Sequence, residues 1–347
     1  MKVLVTGSAG FIGTAICAAL EDAGDDVVRV DVMLEQAHGS DEPPPGTQVL
    51  DVRDAATWGA LLQGVDAVCH QAALVGAGVR VGDLPHYAAH NDLGTAALLA
   101  AMHDADVRRL VLASSMVVYG EGRYACQEHG VQQPPPRSLA ALDAGDFENA
   151  CPRCGAPLGW ELVNEDARLE PRSSYAASKV AQEHYASAWV RQADAAGVAL
   201  RYHNVYGPGM PRDTPYSGVA AMFRSSVERG EPPRVFEDGG QMRDFVHVTD
   251  VAAANVTALR AAVDMPSGQW DAFNVCSGNP VSIRQVADLV ADGAGAGLAP
   301  LVTGEYRSGD VRHVVASPER ARTELGFEAA VGPEDGLRAF ATVPLRG

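Results

Sequence analysis

A doubly wound α/β architecture, a parallel sheet covered by helices on both faces, is predicted by three observations. Short apolar runs recur through the first half of the 347-residue chain and alternate with helix-like patterns. A glycine-rich turn directly follows the first run, and an Asp closes the second. The length allows about two domains, or one large α/β unit with a lobe, and a hydrophobic fraction of 47% argues against general disorder.

The elements follow in order. Lys2 to Thr6 reads as a buried strand, and a helix runs from about Ile12 to near Gly24. Val27 to Val30 is a second strand, ending at Asp31, and Pro43-Pro44-Pro45-Gly46 marks a surface loop. Asp54 is a candidate cap for a helix ending at Gly64, and Ala67 to Cys69 is the next strand. An Ala- and Leu-rich helix spans about Tyr87 to His103, then Val107 to Ala113 is a strand leading into Ser114-Ser115. The rhythm breaks between Gly120 and Leu169, a stretch with Pro134-Pro135-Pro136 and three of the six cysteines, which reads as an insertion over 121–169. Helical patterning returns from Ser173 to about Ala196, followed by a strand at Ala199 to His203. Short helices are expected to start at Thr249, Ser282 and Ser317, the last with Pro318 in its first turn. Residues 1–203 thus read as a dinucleotide-type domain carrying the insertion. Residues 204–347 read as a smaller α/β lobe, with some chain crossing back to the sheet.

Charge narrows the partners. With 27 Lys+Arg against 44 Asp+Glu, the net charge of −17 repels nucleic acid and anionic membrane surfaces. An anionic small molecule would need local donors. The first residues read as a strand and not a signal peptide, and no apolar run reaches the roughly 18 residues of a membrane span. Six cysteines are too sparse for a disulfide framework, so the cytoplasm is the expected compartment.

Gly7-Ser8-Ala9-Gly10-Phe11-Ile12-Gly13 sits between a strand and a helix. Its glycines let the backbone approach a pyrophosphate at the positive end of that helix. Asp31 can accept hydrogen bonds from the adenosine ribose and would repel a 2′-phosphate, which favours NAD over NADP. Asp51-Val52 ends another strand and can border the adenine, though a solvated loop Asp explains Asp51 nearly as well.

Tyr175 and Lys179, four residues apart, share one helix face. An ammonium beside the phenol would lower the Tyr pKa and ready it to take a proton from a sugar hydroxyl. Ser115, ending a strand that faces the cofactor, can hydrogen bond the reacting oxygen. A Tyr-x-x-x-Lys pair alone is common on helix surfaces. The glycine motif and the Ser-Ser strand end make it a catalytic candidate.

With these residues in view, the chain resembles the extended short-chain dehydrogenase/reductases of the NAD-dependent nucleotide-sugar epimerase/dehydratase group. Further matching segments are His70-Gln71-Ala72-Ala73, Asn91-Asp92-Leu93-Gly94-Thr95 and Ser114-Ser115-Met116-Val117-Val118-Tyr119-Gly120. Others are Asn204-Val205-Tyr206-Gly207-Pro208, Arg243-Asp244-Phe245-Val246-His247-Val248, Phe273-Asn274-Val275 and Gly309-Asp310-Val311-Arg312-His313. The resemblance implies a Rossmann-type domain binding NAD and a lobe gripping a nucleotide-diphospho-sugar. It implies cofactor contacts at Gly7, Gly10, Phe11, Ile12, Gly13, Asp31, Asp51, Val52, Gln71, Ala72, Ala73, Asn91, Tyr175 and Lys179. It places the substrate at Ser115, Met116 and Asn204, with Arg243 and Arg307 pairing with phosphate oxygens, although Arg307 also fits a solvated surface role. It further implies a homodimer through the Leu98 and Tyr175 helices.

One departure bears on the reaction. Similar 4,6-dehydratases have Asp-Glu directly after the catalytic Thr or Ser, and related decarboxylases carry a Glu in this segment. Met116 and Val117 stand there in this chain and cannot exchange protons. What remains is oxidation at C4, rotation of the sugar, and return of the hydride, a 4-epimerisation through a transient ketone. The competing readings are an NAD(P)H-dependent reductase of a keto-sugar and a nucleotide-sugar- or NAD-sensing binding protein.

The insertion pairs Cys126-Gln127-Glu128-His129 with Cys151-Pro152-Arg153-Cys154-Gly155. These spacings suit a closed tetrahedral zinc site, with Gly155 allowing the knuckle turn. A redox C-x-x-C or unrelated cysteines are the alternatives. Cys17, Cys69 and Cys276 lie in apolar runs and are expected in the core. The insertion, with Leu74-Val75-Gly76-Ala77-Gly78-Val79-Arg80 and Leu84-Pro85-His86-Tyr87, is similar to that of dTDP-L-rhamnose 4-epimerases, which make dTDP-6-deoxy-L-talose. A UDP-hexose or UDP-uronate is the alternative substrate.

Overall fold

The computed structural model describes residues 1–38, 42–78, 80–212, 218–295 and 297–346; Val79 of the sequence motif lies outside them. Seven strands form one sheet in the order Trp270–Val275, Ala196–Tyr202, Arg109–Ser115, Ala67–His70, Lys2–Thr6, Asp26–Asp31, Thr47–Val49. Every neighbouring pair is parallel. The chain winds outward from Lys2–Thr6 first to one side and then to the other, which opens a crevice beyond the carboxyl end of that strand.

The two-residue period of the strands builds two cores. Val3, Val5, Val111, Val198 and Leu200 face the helices Phe11–Asp22 and Val248–Asp264, meeting Ile16, Leu20, Val251 and Leu259. Leu4, Val68, Leu110 and Leu112 point the other way, to Leu98 and Met102 of Gly94–Asp104 and to Trp189 and Val190 of Ser174–Gln192. A third cluster, with Phe223, Phe245, Val290, Leu337 and Phe340, packs elements outside the seven-stranded sheet.

Several boundaries differ from the sequence reading, each for a local reason. Asp51, not Asp54, is the cap: its carboxylate accepts from Arg53 N–H at 2.8 Å and its carbonyl from the Trp58 indole at 2.8 Å. Two short 3₁₀ turns, Val52–Thr57 and Gly59–Leu62, stand where one helix was expected. The helix expected from Tyr87 begins at Leu84, passes through a wide π turn at Ala88–Leu93, and ends at Asp104. The helix expected to reach Ala196 stops at Gln192, because Asp194 takes a left-handed φ of 55° and turns the chain into Ala196–Tyr202. The helix expected at Thr249 is 17 residues long and is capped by His247. Ser282 does cap Ile283–Gly293, with Gln285 completing a reciprocal capping box. The helix Pro333–Phe340 was not read from the sequence.

One buried pair fixes the long helix Ser174–Gln192 to the sheet. Glu183 forms an ion pair with Arg201 at 2.8 Å, with side chains 4% and 5% exposed, and also accepts from the Ser114 hydroxyl. Removing the carboxylate strands a guanidinium in the interior. Glu183→Ala is expected to cost about 3–5 kcal/mol, read as a loss of stability in denaturant titration.

Candidate active site

The glycine turn is a backbone cradle that side chains would fill. Gly7 has φ 67°, and a Cβ there would sit 2.7 Å from the Ala72 nitrogen. A Cβ on Gly13 would meet the Gly7 carbonyl at 2.0 Å, so the helix can approach the turn only as glycine. Gly10 caps the helix without a side-chain bond, which leaves first-turn N–H groups for a ligand. Asp31 accepts from Ala9 N–H at 3.0 Å and Met33 N–H at 2.9 Å, with His38 Nε2 at 3.3 Å. Burial would raise the Asp31 pKa, but His38 and these two N–H groups outweigh it and hold it below the usual range.

A cavity of about 550 Å³ opens at this point. It is lined by Gly7, Gly10, Phe11, Ile12, Gly13 and Asp31 at one end, and by Asp51, Val52, Gln71, Ala72 and Ala73 along a wall. Ser115, Met116, Tyr175, Lys179, Asn204 and Arg307 line it as well. Asp51, although it borders the cavity, is ion-paired to Arg53 at 2.5 Å. The sequence thus gathered into one crevice residues more than 290 positions apart.

Two expected contacts lie elsewhere. Asn91, held in the π turn, spends its amide on the Leu74 N–H and carbonyl (2.7 and 3.0 Å) and on Ser178 Oγ (2.8 Å). It ties the cavity wall to the Tyr175 helix and does not line the cavity. Arg243 does not line the cavity; it donates to the carbonyls of Met242, Val311 and Arg312 at 2.7–2.8 Å. Burial lowers its pKa, against an upward pull from the nearby charges of Asp310, Glu237 and Glu121.

At the catalytic end, Ser115 and Tyr175 line the cavity together, and Lys179 Nζ donates to the Ala113 carbonyl at 2.9 Å. The ammonium lies 6.0 Å from the Tyr175 ring centre. The expected lowering of the Tyr175 pKa is not met by the polypeptide alone. Burial pushes the phenol up to about 12, against a downward pull from Ser115. Burial also pushes Lys179 down to about 7, with Glu183 opposing it. His70, in the matching segment beside Gln71, is locked between Thr6 Oγ1 (2.7 Å) and Thr95 Oγ1 (2.9 Å), and burial holds it neutral with a pKa near about 3.

Among the cavity residues that sequence reasoning missed, two carry polar groups of interest. His203 lines the cavity with neither ring nitrogen partnered among the described residues, and the Asn204 amide oxygen beside it is unpartnered too. Buried polar atoms of this kind call for a partner outside the polypeptide, a ligand or an ordered water. Arg346 also lines it, donating to the Ala9 carbonyl at 2.8 Å and the Ala37 carbonyl at 3.2 Å. Nothing in its local sequence signals that it folds back onto the glycine turn.

The expected metal ligands converge in the insertion. All four donor atoms of Cys126, His129, Cys151 and Cys154 lie within 4.8 Å of one another. Cys126 Sγ is 3.6 Å from His129 Nδ1 and 3.7 Å from Cys154 Sγ, and Cys151 Sγ is 3.7 Å from His129 Nδ1. Gly155 takes φ 75° and closes the knuckle with its N–H on the Cys151 carbonyl at 2.8 Å. Cys17, Cys69 and Cys276 are buried, as expected.

The family described as "NAD dependent epimerase/dehydratase family" matches residues 3–140 and 155–276. The chain belongs to this family. The unmatched residues 141–154 fall in the insertion and include Cys151 and Cys154. The dTDP-L-rhamnose 4-epimerase of Burkholderia thailandensis is 33% identical over 98% of this chain and 94% of its own length. The UDP-glucose 4-epimerase of Mycolicibacterium smegmatis is 31% identical over 97% of this chain and 96% of its own. The Thermus thermophilus UDP-glucose 4-epimerase, solved in complex with NAD, superposes with a TM-score of 0.76 at 31% identity over 98% of each chain. No helix among the described residues of this epimerase/dehydratase-family enzyme is long and apolar enough to cross a membrane.

Asp31 is the residue through which adenosine specificity can be tested. Asp31→Ala is expected to weaken NAD binding by about 1.5–3 kcal/mol and to narrow the preference over NADP, read by calorimetry with both cofactors.

Proposed function

We propose that this enzyme is an NAD-dependent nucleotide-sugar 4-epimerase whose substrate is dTDP-L-rhamnose, interconverted with dTDP-6-deoxy-L-talose through a 4-keto intermediate. The observation that carries the reaction type is the composition of the catalytic end. Ser115 and Tyr175 both line the cavity, with Ser115 pulling the phenol's pKa down, while the cavity residue Met116 and the adjoining Val117 can neither give nor take a proton. The chain therefore supplies acid–base chemistry for one hydroxyl and none for a neighbouring carbon.

The glycine cradle and Asp31 fit the pyrophosphate and ribose of NAD, with Gln71, Ala72 and Ala73 along the same wall. Bound NAD supplies a hydride acceptor and donor, and a positive charge that favours the phenolate. Tyr175 takes the proton from the C4 hydroxyl and later returns it, and Ser115 holds the reacting oxygen. Lys179, fixed on the Ala113 carbonyl, keeps a donor at the base of the phenol. In this reading the unpartnered His203 and Asn204 atoms, with Arg307 in the cavity lining, are the groups that would meet the sugar hydroxyls and the diphosphate. The rhamnose assignment draws on the Burkholderia relative and on the insertion; the UDP-glucose relatives support a UDP-hexose as the second reading.

The insertion is proposed to hold a structural zinc ion. With zinc–sulfur bonds of about 2.3 Å, tetrahedral ligands stand about 3.5–3.8 Å apart, close to the separations of these donors. The four protein ligands leave no open position for catalysis. A homodimer is proposed through the helices that carry the exposed Leu93 and Tyr185, and the cytoplasm as the compartment.

A panel of dTDP- and UDP-sugars, with products read by NMR, tests the reading. A 4-epimer without net NADH supports it, and dehydration or stoichiometric NADH use overturns it. Tyr175→Phe is expected to lower kcat by about 10²–10⁴ while NAD still binds. Purified protein is expected to carry one equivalent of zinc that Cys151→Ser with Cys154→Ser removes.

A further inference from the structure

The insertion is bonded to residues 310–313, just beyond the cavity residue Arg307, at several separate points. Its three-stranded sheet, Arg123–Cys126 with Gly130–Gln132 and Gly159–Glu161, carries Tyr124, whose hydroxyl accepts from His313 N–H at 2.9 Å. The chain enters the insertion backbone against backbone: a Cβ on Gly122 would lie 2.7 Å from the His313 carbonyl. Arg137 donates to the Asp310 carbonyl at 2.8 Å and pairs with Glu237 at 2.8 Å.

The metal knuckle adds the central contact. Cys151 N–H bonds the Ala156 carbonyl and Leu158 N–H the Asn149 carbonyl, both at 2.8 Å, so the turn at the ligands closes residues 149–158 into a hairpin. Glu148 is the residue just outside that hairpin. It pairs with Arg312 at 2.5 Å and with His313 Nε2 at 2.9 Å. The Arg312 side chain is 1% exposed and also bridges Glu237 and Asp238 at 2.8 Å each. On the opposite side, the carbonyls of Val311 and Arg312 receive the Arg243 guanidinium. Arg307, which lines the cavity, begins the same segment, its carbonyl accepting from Asp310 N–H at 3.2 Å.

We propose that the insertion is a metal-set brace for the substrate's diphosphate: the knuckle positions Glu148, Glu148 holds residues 310–313, and that segment sets Arg307 in the cavity lining and fixes the Arg243 guanidinium. This rests on the zinc and nucleotide-sugar readings above. Glu148 is a positioning residue and touches no reacting atom. The NAD cradle lies at the glycine turn, outside this chain of contacts, so metal and Glu148 should govern nucleotide-sugar affinity without governing cofactor affinity.

Calorimetry with dTDP, and separately with NAD, tests this on the full-length protein without requiring turnover. Glu148→Gln, and protein stripped of metal by a chelator, are each expected to bind dTDP about tenfold or more weakly with NAD affinity unchanged. Zinc re-addition should restore dTDP binding to stripped wild type and not to Glu148→Gln. Glu161→Gln, which breaks an exposed pair with Arg123 on the same insertion, serves as the control and should leave dTDP affinity intact. Equal loss of NAD and dTDP affinity, or dTDP affinity indifferent to metal and to Glu148, would overturn the brace. Tight, metal-dependent dTDP binding without any epimerised product would instead uphold the brace and sink the proposed reaction.

Discussion

The catalytic end depends on the buried pair between Glu183 and Arg201. Glu183 lies four residues beyond Lys179 and eight beyond Tyr175 on one helix, while Arg201 lies on the strand beside the one that ends in Ser115. The pair also gathers the Ser114 hydroxyl, and Arg201 reaches Tyr119 Oη and the Glu165 carbonyl at 2.9 Å. A paired charge in the interior is costly unless all its bonds are made together, so the helix has one rotation and one height against the sheet. Ser115, Tyr175 and Lys179 inherit their mutual placement from that constraint. Glu183 also opposes the burial that would discharge Lys179.

A second constraint is electrostatic. The protein carries −17 yet is read as binding a nucleotide sugar, so its attraction for anions must be local. Most arginines in the structure are neutralised by carboxylates. Two arginines of the cavity lining are held differently: Arg346 donates to the Ala9 and Ala37 carbonyls, and Arg307 lies over the Phe236 ring with Asp310 as a nearby charge. Carbonyls orient a guanidinium without cancelling its charge, so the crevice of an acidic protein keeps cations in its wall.

Much of this was legible in the sequence because it is written locally. Alternating apolar runs fixed the strands, the glycine spacing located the crevice, and paired Cys and His spacings located the insertion's cluster. What escaped was long-range. Glu183 and Arg201 were not singled out, since nothing local marks a charge as buried and paired. Asn91 matched the family and was read as a cofactor contact, but a π turn directs its amide to the Leu74 backbone. Asp51 displaced Asp54 as the cap through the Trp58 indole, a contact set by tertiary packing. Arg346 and His203 owe their place in the cavity to how distant segments meet, which periodicity does not record.

The central claim is that this enzyme inverts C4 by removing a hydride and returning it to the same carbon. The most direct measurement is NMR of the product formed from dTDP-L-rhamnose deuterated at C4, in ordinary water. The account predicts the 4-epimer with deuterium kept at C4. Deuterium exchanged into water, or carried to another carbon, would contradict it.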